Sequence, residues 1–222
     1  MNNRRCRLCT DLAPSRTRAK WNEPLVDTSN FIVTPSIGAL VEGWLLVIPK
    51  QHAISMGALE DSLLAELNEV KEILAQVLET QYGPVCAFEH GPSRNNCAVG
   101  CGVDHAHLHL VPCNFDLASA VEPYLPAGAT WRSAQLSDCQ AAHRADQDYL
   151  YYEQPNRVGY ISTHQNFGSQ TFRRAFANAH AVPGQFNWQE HDQLPNVLAT
   201  IANAHKWTGN LTVWQNQIAV VA

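Results

Sequence analysis

A short segment with a histidine at every second position is the feature that most constrains the fold of this chain. Residues 104–112 read DHAHLHLVP, so that His105, His107 and His109 alternate with apolar side chains. Successive side chains of a strand point to opposite faces, and the spacing therefore predicts a strand over residues 105–111. Its three imidazoles would share one face at intervals of about 6.6 Å, while the apolar side chains between them would enter the core.

This row of imidazoles is open to three interpretations. Intervals of this length suit contacts to different parts of one ligand better than three bonds to one atom. A three-histidine metal site is a competing interpretation, because imidazole is a common zinc ligand. The third is a solvent-facing strand that merely uses histidine as its polar residue.

The rest of the chain predicts further strands and helices. Leucine and valine recur at spacings of three and four over residues 59–78, which predicts an amphipathic helix that ends at Gly83 and Pro84. Strands are predicted at 30–33, 43–48, 85–90, 148–153 and 158–163, the last two as a hairpin. Two more helices are predicted near 169–179 and 195–205.

Composition limits the class of protein. The 222 residues are 45% hydrophobic and 16% charged, which is typical of a globular chain. A formal net charge of -5 offers no basic field for an extended nucleic acid, although one local site can still bind a small phosphorylated ligand. Because neither a signal peptide nor a run of 18 apolar residues is found, we expect a cytoplasmic protein without a membrane segment.

Seven cysteines suggest thiols that stay reduced, some of them as metal ligands. Cys6 and Cys9 form a Cys-x-x-Cys pair, which can provide two of the four ligands of a structural zinc ion. Cys97 and Cys101 could complete such a site. A redox-active or unliganded pair is the alternative.

Two segments carry a resemblance to a known family. The triad, followed by two apolar residues and Pro112, resembles the signature of the histidine-triad (HIT) superfamily. Residues 43–52, GWLLVIPKQH, resemble the earlier G-H-x-L-V-I-P-K-x-H segment of that family. The resemblance covers roughly residues 6–112 and implies an α+β fold with an antiparallel sheet and helices, often as a homodimer.

We therefore expect a HIT-like domain over residues 1–112 and a smaller α+β extension over residues 113–222. The most distinctive residues of the extension are Phe172, Arg173, Arg174 and Trp188. Nothing in the sequence assigns the extension a role.

The resemblance also implies a chemistry, namely hydrolysis or transfer at the α-phosphate of a nucleotide. His107 would be the nucleophile and would form a covalent nucleotidyl-histidine, because a neutral imidazole with one free nitrogen can attack phosphorus. His109 would donate to the phosphoryl oxygens in the transition state. Dinucleoside polyphosphates, nucleoside phosphoramidates and sugar nucleotides all fit this chemistry.

Some HIT proteins carry the N-terminal cysteine pair, and the resemblance then completes the zinc site with His52 and His105. In that arrangement His105 would bind zinc and not the substrate. The sequence leaves this set and the set with Cys97 and Cys101 both open.

The chain departs from the family pattern at three positions. Trp44 stands where many relatives have histidine, Cys101 stands where they have glutamine, and no acidic residue follows Phe31. Substitute substrate contacts are expected from the loop before the triad, and a base pocket from aromatic side chains. The candidates are His90, Ser93, Arg94 and Asn96 for the loop, and Trp21, Phe31 and Trp44 for the aromatic wall.

Because of these departures, two other functions compete with a HIT-type enzyme. One is a metal-dependent hydrolase whose triad binds the catalytic ion. The other is a nucleotide-binding module that has lost turnover, which Trp44 and Cys101 make credible.

Overall fold

A computed structural model describes residues 6–11 and 24–218 of the chain. Its strands are β1 (Val26–Asp27), β2 (Phe31–Pro35), β3 (Leu45–Pro49), β4 (Val85–Gly91), β5 (Leu108–Pro112), β6 (Arg132–Ser133), β7 (Tyr149–Glu153) and β8 (Gly159–Thr163). Across the described residues they form one sheet in the order β1-β2-β3-β5-β4-β7-β8-β6. Every neighbouring pair is antiparallel.

The helices pack on both faces of this sheet. They are α1 (Arg7–Asp11), α2 (Asp61–Tyr82), α3 (Leu117–Val121), α4 (Asp138–Arg144), α5 (Thr171–Ala179) and α6 (Leu194–Ile218). The long helix predicted from the leucine spacing is confirmed as α2, which ends at Gly83 with a positive φ of 84°. Among the helices that the structure describes, none combines the length and the apolarity needed to cross a bilayer.

Alternating side chains divide the interior into two cores. On one face Leu108 and Leu110 of β5 pack with the leucine stripe of α2. On the other face Phe88 of β4 packs with Phe172 and Phe176 of α5. The chain therefore has the predicted α+β fold with an antiparallel sheet.

The second half of the chain continues the sheet of the first half. The predicted hairpin is confirmed as β7 and β8, and β7 pairs with β4 from Gly91↔Tyr149 to Ala87↔Glu153. Helix α5 then returns over the sheet face that carries His109. The predicted domain boundary at residue 112 stays a prediction.

The strand predicted over residues 105–111 is shorter than expected, because it begins at Leu108. Its pairing with β3 extends only to Val47↔Leu108. Two positions further along β3 lies Pro49, which has no N–H to donate to a ladder. The preceding segment instead bonds elsewhere, with the Ala106 N–H donating to the Ala53 carbonyl at 2.7 Å. His105 and His107 therefore lie in a bent approach to the strand, and only His109 lies within it.

Candidate active site

A pocket lies on the sheet face that carries His109. Its polar lining includes His90 of β4, His107, His109 of β5 and Arg173 of α5. Leu46 and Ile48 of β3 belong to its apolar wall. The pocket thus brings together side chains from β5, from its two neighbours in the sheet, β3 and β4, and from the C-terminal half of the chain.

One ring nitrogen of His107 is fixed by the backbone. Its Nδ1 lies 2.7 Å from the carbonyl oxygen of His105, and a carbonyl only accepts, so Nδ1 carries the proton. Burial is the main cause that lowers the pKa of His107, so the ring is neutral and Nε2 is unprotonated. The half-buried ring lines the pocket. His107 therefore has the tautomer that a nitrogen nucleophile requires.

His109 is held in the opposite tautomer. The Trp44 Nε1–H donates to Nδ1 of His109 at 2.9 Å, so the proton of the neutral ring lies on Nε2. Burial, followed by the neighbouring His107, His90 and Arg173, holds the pKa of His109 well below its usual range. The ring also stacks on Phe88 with 4.4 Å between centroids. Its centroid lies 5.0 Å from that of His107, which places a neutral donor beside the free nitrogen.

His90 and Arg173 complete the polar wall of the pocket. The Phe172 N–H donates to Nε2 of His90 at 3.2 Å, and burial is the main cause that lowers the pKa of His90 to about 3. Burial also lowers the pKa of Arg173 to about 10, so its guanidinium stays charged at neutral pH. The charge lies over the Trp44 ring, 4.9 Å from its centroid.

The first histidine of the triad belongs to a different cluster. One donor atom each from Cys6, Cys9, His52 and His105 lie within 4.8 Å of one another. Nδ1 of His105 is 3.4 Å from each sulfur and 3.4 Å from Nδ1 of His52. Burial lowers the pKa of His105 to about 4, so its ring is neutral. These four side chains could hold a metal ion between them.

The geometry of this cluster fits tetrahedral zinc. Bonds of about 2.0–2.3 Å put the ligand atoms of a tetrahedral zinc ion about 3.3–3.8 Å apart, and the separation of Cys9 Sγ from His52 Nδ1 is 3.5 Å. His105 donates from Nε2 to the carbonyl of Pro49 at 2.8 Å, which leaves Nδ1 free as a ligand. The donor set of two thiols and two imidazoles is typical of structural zinc.

The alternative pair of ligands, Cys97 and Cys101, lies outside this cluster. Cys101 is buried at the pocket, where its sulfur accepts from the Gln170 N–H at 3.1 Å and the thiol donates to the Val99 carbonyl. Neither Cys97 nor Cys101 belongs to the cluster that the described residues form around Cys6. The structure thus brings together the set with His52 and His105.

The structure does not bring several predicted substrate contacts to the pocket. Phe31 is fully buried in the core shared with α2, and Trp44 is fully buried beneath His109. Ser93 bonds through its backbone N–H and its hydroxyl to Asp148, and with Arg94 it lines a separate surface groove. The Asn96 N–H donates to Asp104 in the exposed loop before the triad. Trp21 lies outside the described residues.

Sequence reasoning did not assign Arg173 to the site. Its neighbours Phe172 and Phe176 are fully buried on α5, and Arg173 itself is only 2% exposed. The sequence signal that could have found it is an arginine between Phe172 and Phe176, which are spaced four residues apart as on one face of a helix. That pattern indicates a buried position but does not say which pocket the charge enters.

A comparison with known protein families matches one part of the chain. A family model described as the HIT domain matches residues 24–116. No curated protein matches the chain.

Three solved structures illustrate the similarity of the backbone at low sequence identity. A hypothetical histidine triad nucleotide-binding protein from Sulfolobus tokodaii is 20% identical with a TM-score of 0.37, and the match covers 42% of this chain but only 62% of that one. A zinc-bound histidine triad family protein from Mycobacterium smegmatis is 21% identical with a TM-score of 0.39, covering 64% and 92%. Yeast Ap4A phosphorylase is 10% identical with a TM-score of 0.39, covering 73% of each chain.

The family match spans β1 to β5, and so includes the strand that carries His109, the approach that carries His107 and the helix between the two motifs. The bonds to His105, Pro49 and Trp44 that orient the triad lie within the same span. The HIT domain model therefore matches the part of the chain that carries the histidine triad, as the triad predicted.

Proposed function

We propose that this chain is a nucleotidyl hydrolase or transferase in which His107 attacks the phosphorus of a nucleotide-like substrate. The observation that carries the proposal is the 2.7 Å hydrogen bond from His107 Nδ1–H to the His105 carbonyl. That bond leaves the lone pair of Nε2 available in a ring that lines the pocket. A solvent-facing histidine that served only as a polar residue would need no such fixed tautomer.

The reaction follows from the two opposite tautomers. The Nε2 lone pair of His107 forms a bond to phosphorus, and the bond from phosphorus to the leaving group breaks with its electron pair going to the leaving group. His109 donates from Nε2–H to a phosphoryl oxygen as negative charge builds there. Water or another acceptor then cleaves the P–N bond and releases the nucleotidyl group.

Zinc in the cluster of Cys6, Cys9, His52 and His105 would have a structural role. Bound there, it would tie the N-terminal segment to the approach of the triad strand. The carbonyl of His105 orients His107, so a fixed His105 also fixes the nucleophile. His105 then does not contact the substrate, and His107 and His109 form the catalytic pair.

Trapping of a covalent intermediate tests the proposal. A panel of dinucleoside polyphosphates, phosphoramidates and sugar nucleotides is reacted briefly with the enzyme and quenched in base, because a phosphoramidate survives alkali better than acid. We expect mass spectrometry to find the nucleotidyl group on the peptide that contains His107. A metal-activated water would transfer oxygen directly and leave no adduct. Turnover without an adduct, abolished by chelation while the fold persists, would establish the metal-dependent alternative.

Trp44 should act on the rate through His109. Trp44→Phe removes the Nε1–H donor and lets the His109 ring adopt either tautomer, so the donor at Nε2 is present only part of the time. We expect kcat to fall by about tenfold to a hundredfold with a smaller change in KM, because the lost contact strengthens in the transition state. Steady-state kinetics on the folded variant measures both values.

Trp131→Phe is the matched control for this variant. The Nε1 of Trp131 is buried without a partner among the described residues, and its ring packs on Tyr152. This change removes an indole of the same size but leaves the tautomer of His109 unaltered. Equal losses of kcat in the two variants would show that packing, and not the hydrogen bond, accounts for the effect.

A further inference from the structure

Arg173 is a cation that the fold buries without an anionic partner among residues 6–11 and 24–218. Its side chain is 2% exposed, and it forms none of the ion pairs between those residues. Nε donates to the Phe186 carbonyl at 2.9 Å, and Nη2 donates to the Gly38 carbonyl. Nη1 has no bond to the described protein atoms. A buried charge is costly unless it is paired, so its position in a pocket points to an anionic ligand.

His90 provides a second donor without a partner in the same pocket. Its side chain is 4% exposed, and its Nε2 accepts from the Phe172 N–H. The neutral ring therefore carries its proton on Nδ1. Nδ1 is buried and finds no acceptor in the described part of the chain. Because His90 and Arg173 come from β4 and α5, the fold has converged two independent donors on one pocket.

The contacts show where these donors lie relative to the nucleophile. His107 neighbours His109, His109 neighbours Trp44, and the Arg173 guanidinium lies over Trp44. The His90 ring is also next to His109, with 6.3 Å between centroids. Both donors therefore lie in the pocket lining beside His109, and both are close enough to His107 to interact with it electrostatically.

We propose that Arg173 and His90 form an anion subsite that holds the phosphate next to the reacting one. The substrate would then be a nucleotide with at least two linked phosphates, and not a phosphoramidate of a nucleoside monophosphate. This inference rests on the proposed function. When His107 bonds to phosphorus, the bond to the bridging oxygen breaks and the electron pair leaves with the second phosphate. A guanidinium is suited to stabilise that charge, because its planar donors match phosphate oxygens.

Calorimetric titration with inorganic pyrophosphate and inorganic phosphate tests the subsite without any turnover. We expect the wild-type protein to bind pyrophosphate more tightly than phosphate. Arg173→Gln should weaken pyrophosphate binding about 10- to 100-fold, the range expected for a lost charge-assisted hydrogen bond. Phosphate binding should weaken as well, because the Arg173 guanidinium is the charged donor of the subsite while the triad pair is neutral.

Arg174→Gln is the matched control. Arg174 is the next residue on α5, but it bonds to the Ser169 carbonyl and packs on Phe186 at 3.8 Å, outside the pocket lining. It should leave both affinities unchanged. Loss of pyrophosphate binding in Arg174→Gln equal to that in Arg173→Gln would show that the effect is a general charge effect and would overturn the subsite.

Two further outcomes overturn the proposal. One is a folded Arg173→Gln protein that binds pyrophosphate as the wild type does, and the other is a wild-type protein that binds pyrophosphate no more tightly than phosphate. If Arg173→Gln does not fold, a folded His90→Ala protein decides, since alanine removes the imidazole and with it the Nδ1 donor. Unchanged pyrophosphate affinity in that variant would overturn the subsite. A trapped adduct on His107 with no pyrophosphate preference would refute the subsite while leaving the proposed function standing.

Discussion

His107→Ala should abolish turnover while the protein stays folded. The ring is half-buried at the pocket wall, and its hydrogen bond is to a backbone carbonyl, so truncation leaves no buried charge unpaired. When catalytic residues act together, removal of the nucleophile lowers kcat by about 10⁴-fold or more. Steady-state assays with the substrate found in the nucleotide panel, together with a thermal melt, measure both expectations.

His180→Ala provides the control for His107→Ala. His180 is an exposed histidine at the end of α5, outside the pocket, and its loss should leave kcat within the error of the assay. A folded His107→Ala enzyme with more than a few per cent of wild-type activity would contradict the nucleophile assignment. Binding without turnover in the wild type would favour the nucleotide-binding module instead.

The positions of the apolar side chains in residues 104–112 could be predicted from sequence, but those of the three histidines only in part. Alternation placed Ala106, Leu108 and Leu110 in one core, because a strand with a buried face admits no other register. The late start of the strand, at Leu108, could not be predicted. It depends on Pro49 lying opposite the approach to β5, and strand register is not visible in a single sequence.

The hydrogen-bond partners that orient His107 and His109, the proposed catalytic pair, could not be predicted from sequence either. The acceptor for His107 is a backbone carbonyl, which every residue possesses and which therefore leaves no sequence signal. Trp44 was noticed as a departure from the family pattern, but its bond to His109 depends on how β3 and β5 lie side by side. A tryptophan in place of histidine thus suggested a lost contact, whereas the structure shows a donor to the triad.

Arg173 shows most clearly which part of the site could not be predicted from sequence. It lies 64 residues after His109 in the chain, and it reaches the pocket only because α5 returns over the face of the sheet after β7 and β8. The candidate metal ligands were easier to name from sequence, because three short motifs carried them and a metal requires few residue types. Residues of a site that lie in short motifs can therefore be predicted from sequence. A residue that reaches the site only after the chain has formed several further elements cannot.

Cys6→Ser or Cys9→Ser should lower both zinc content and thermal stability. We expect one zinc per chain in protein purified without chelators, and well under one in either variant. Metal binding contributes to folding free energy when the unfolded chain has no site, about 10–16 kcal/mol for structural zinc peptides, and a variant that loses its zinc loses this contribution. At about 2–4 °C per kcal/mol for a chain of this length, the melting temperature should fall by about 20 °C or more.

Cys97→Ser separates the two candidate ligand sets, because Cys97 belongs to the rival set and lies outside the cluster of Cys6, Cys9, His52 and His105. It should keep a full zinc content and a melting temperature close to that of the wild type. Activity offers a second readout: because the proposed zinc would be structural and not catalytic, the Cys6 and Cys9 variants should lose activity in step with their folded fraction. Loss of zinc in Cys97→Ser, or full zinc in Cys6→Ser, would move the metal away from His105 and return that imidazole to the substrate.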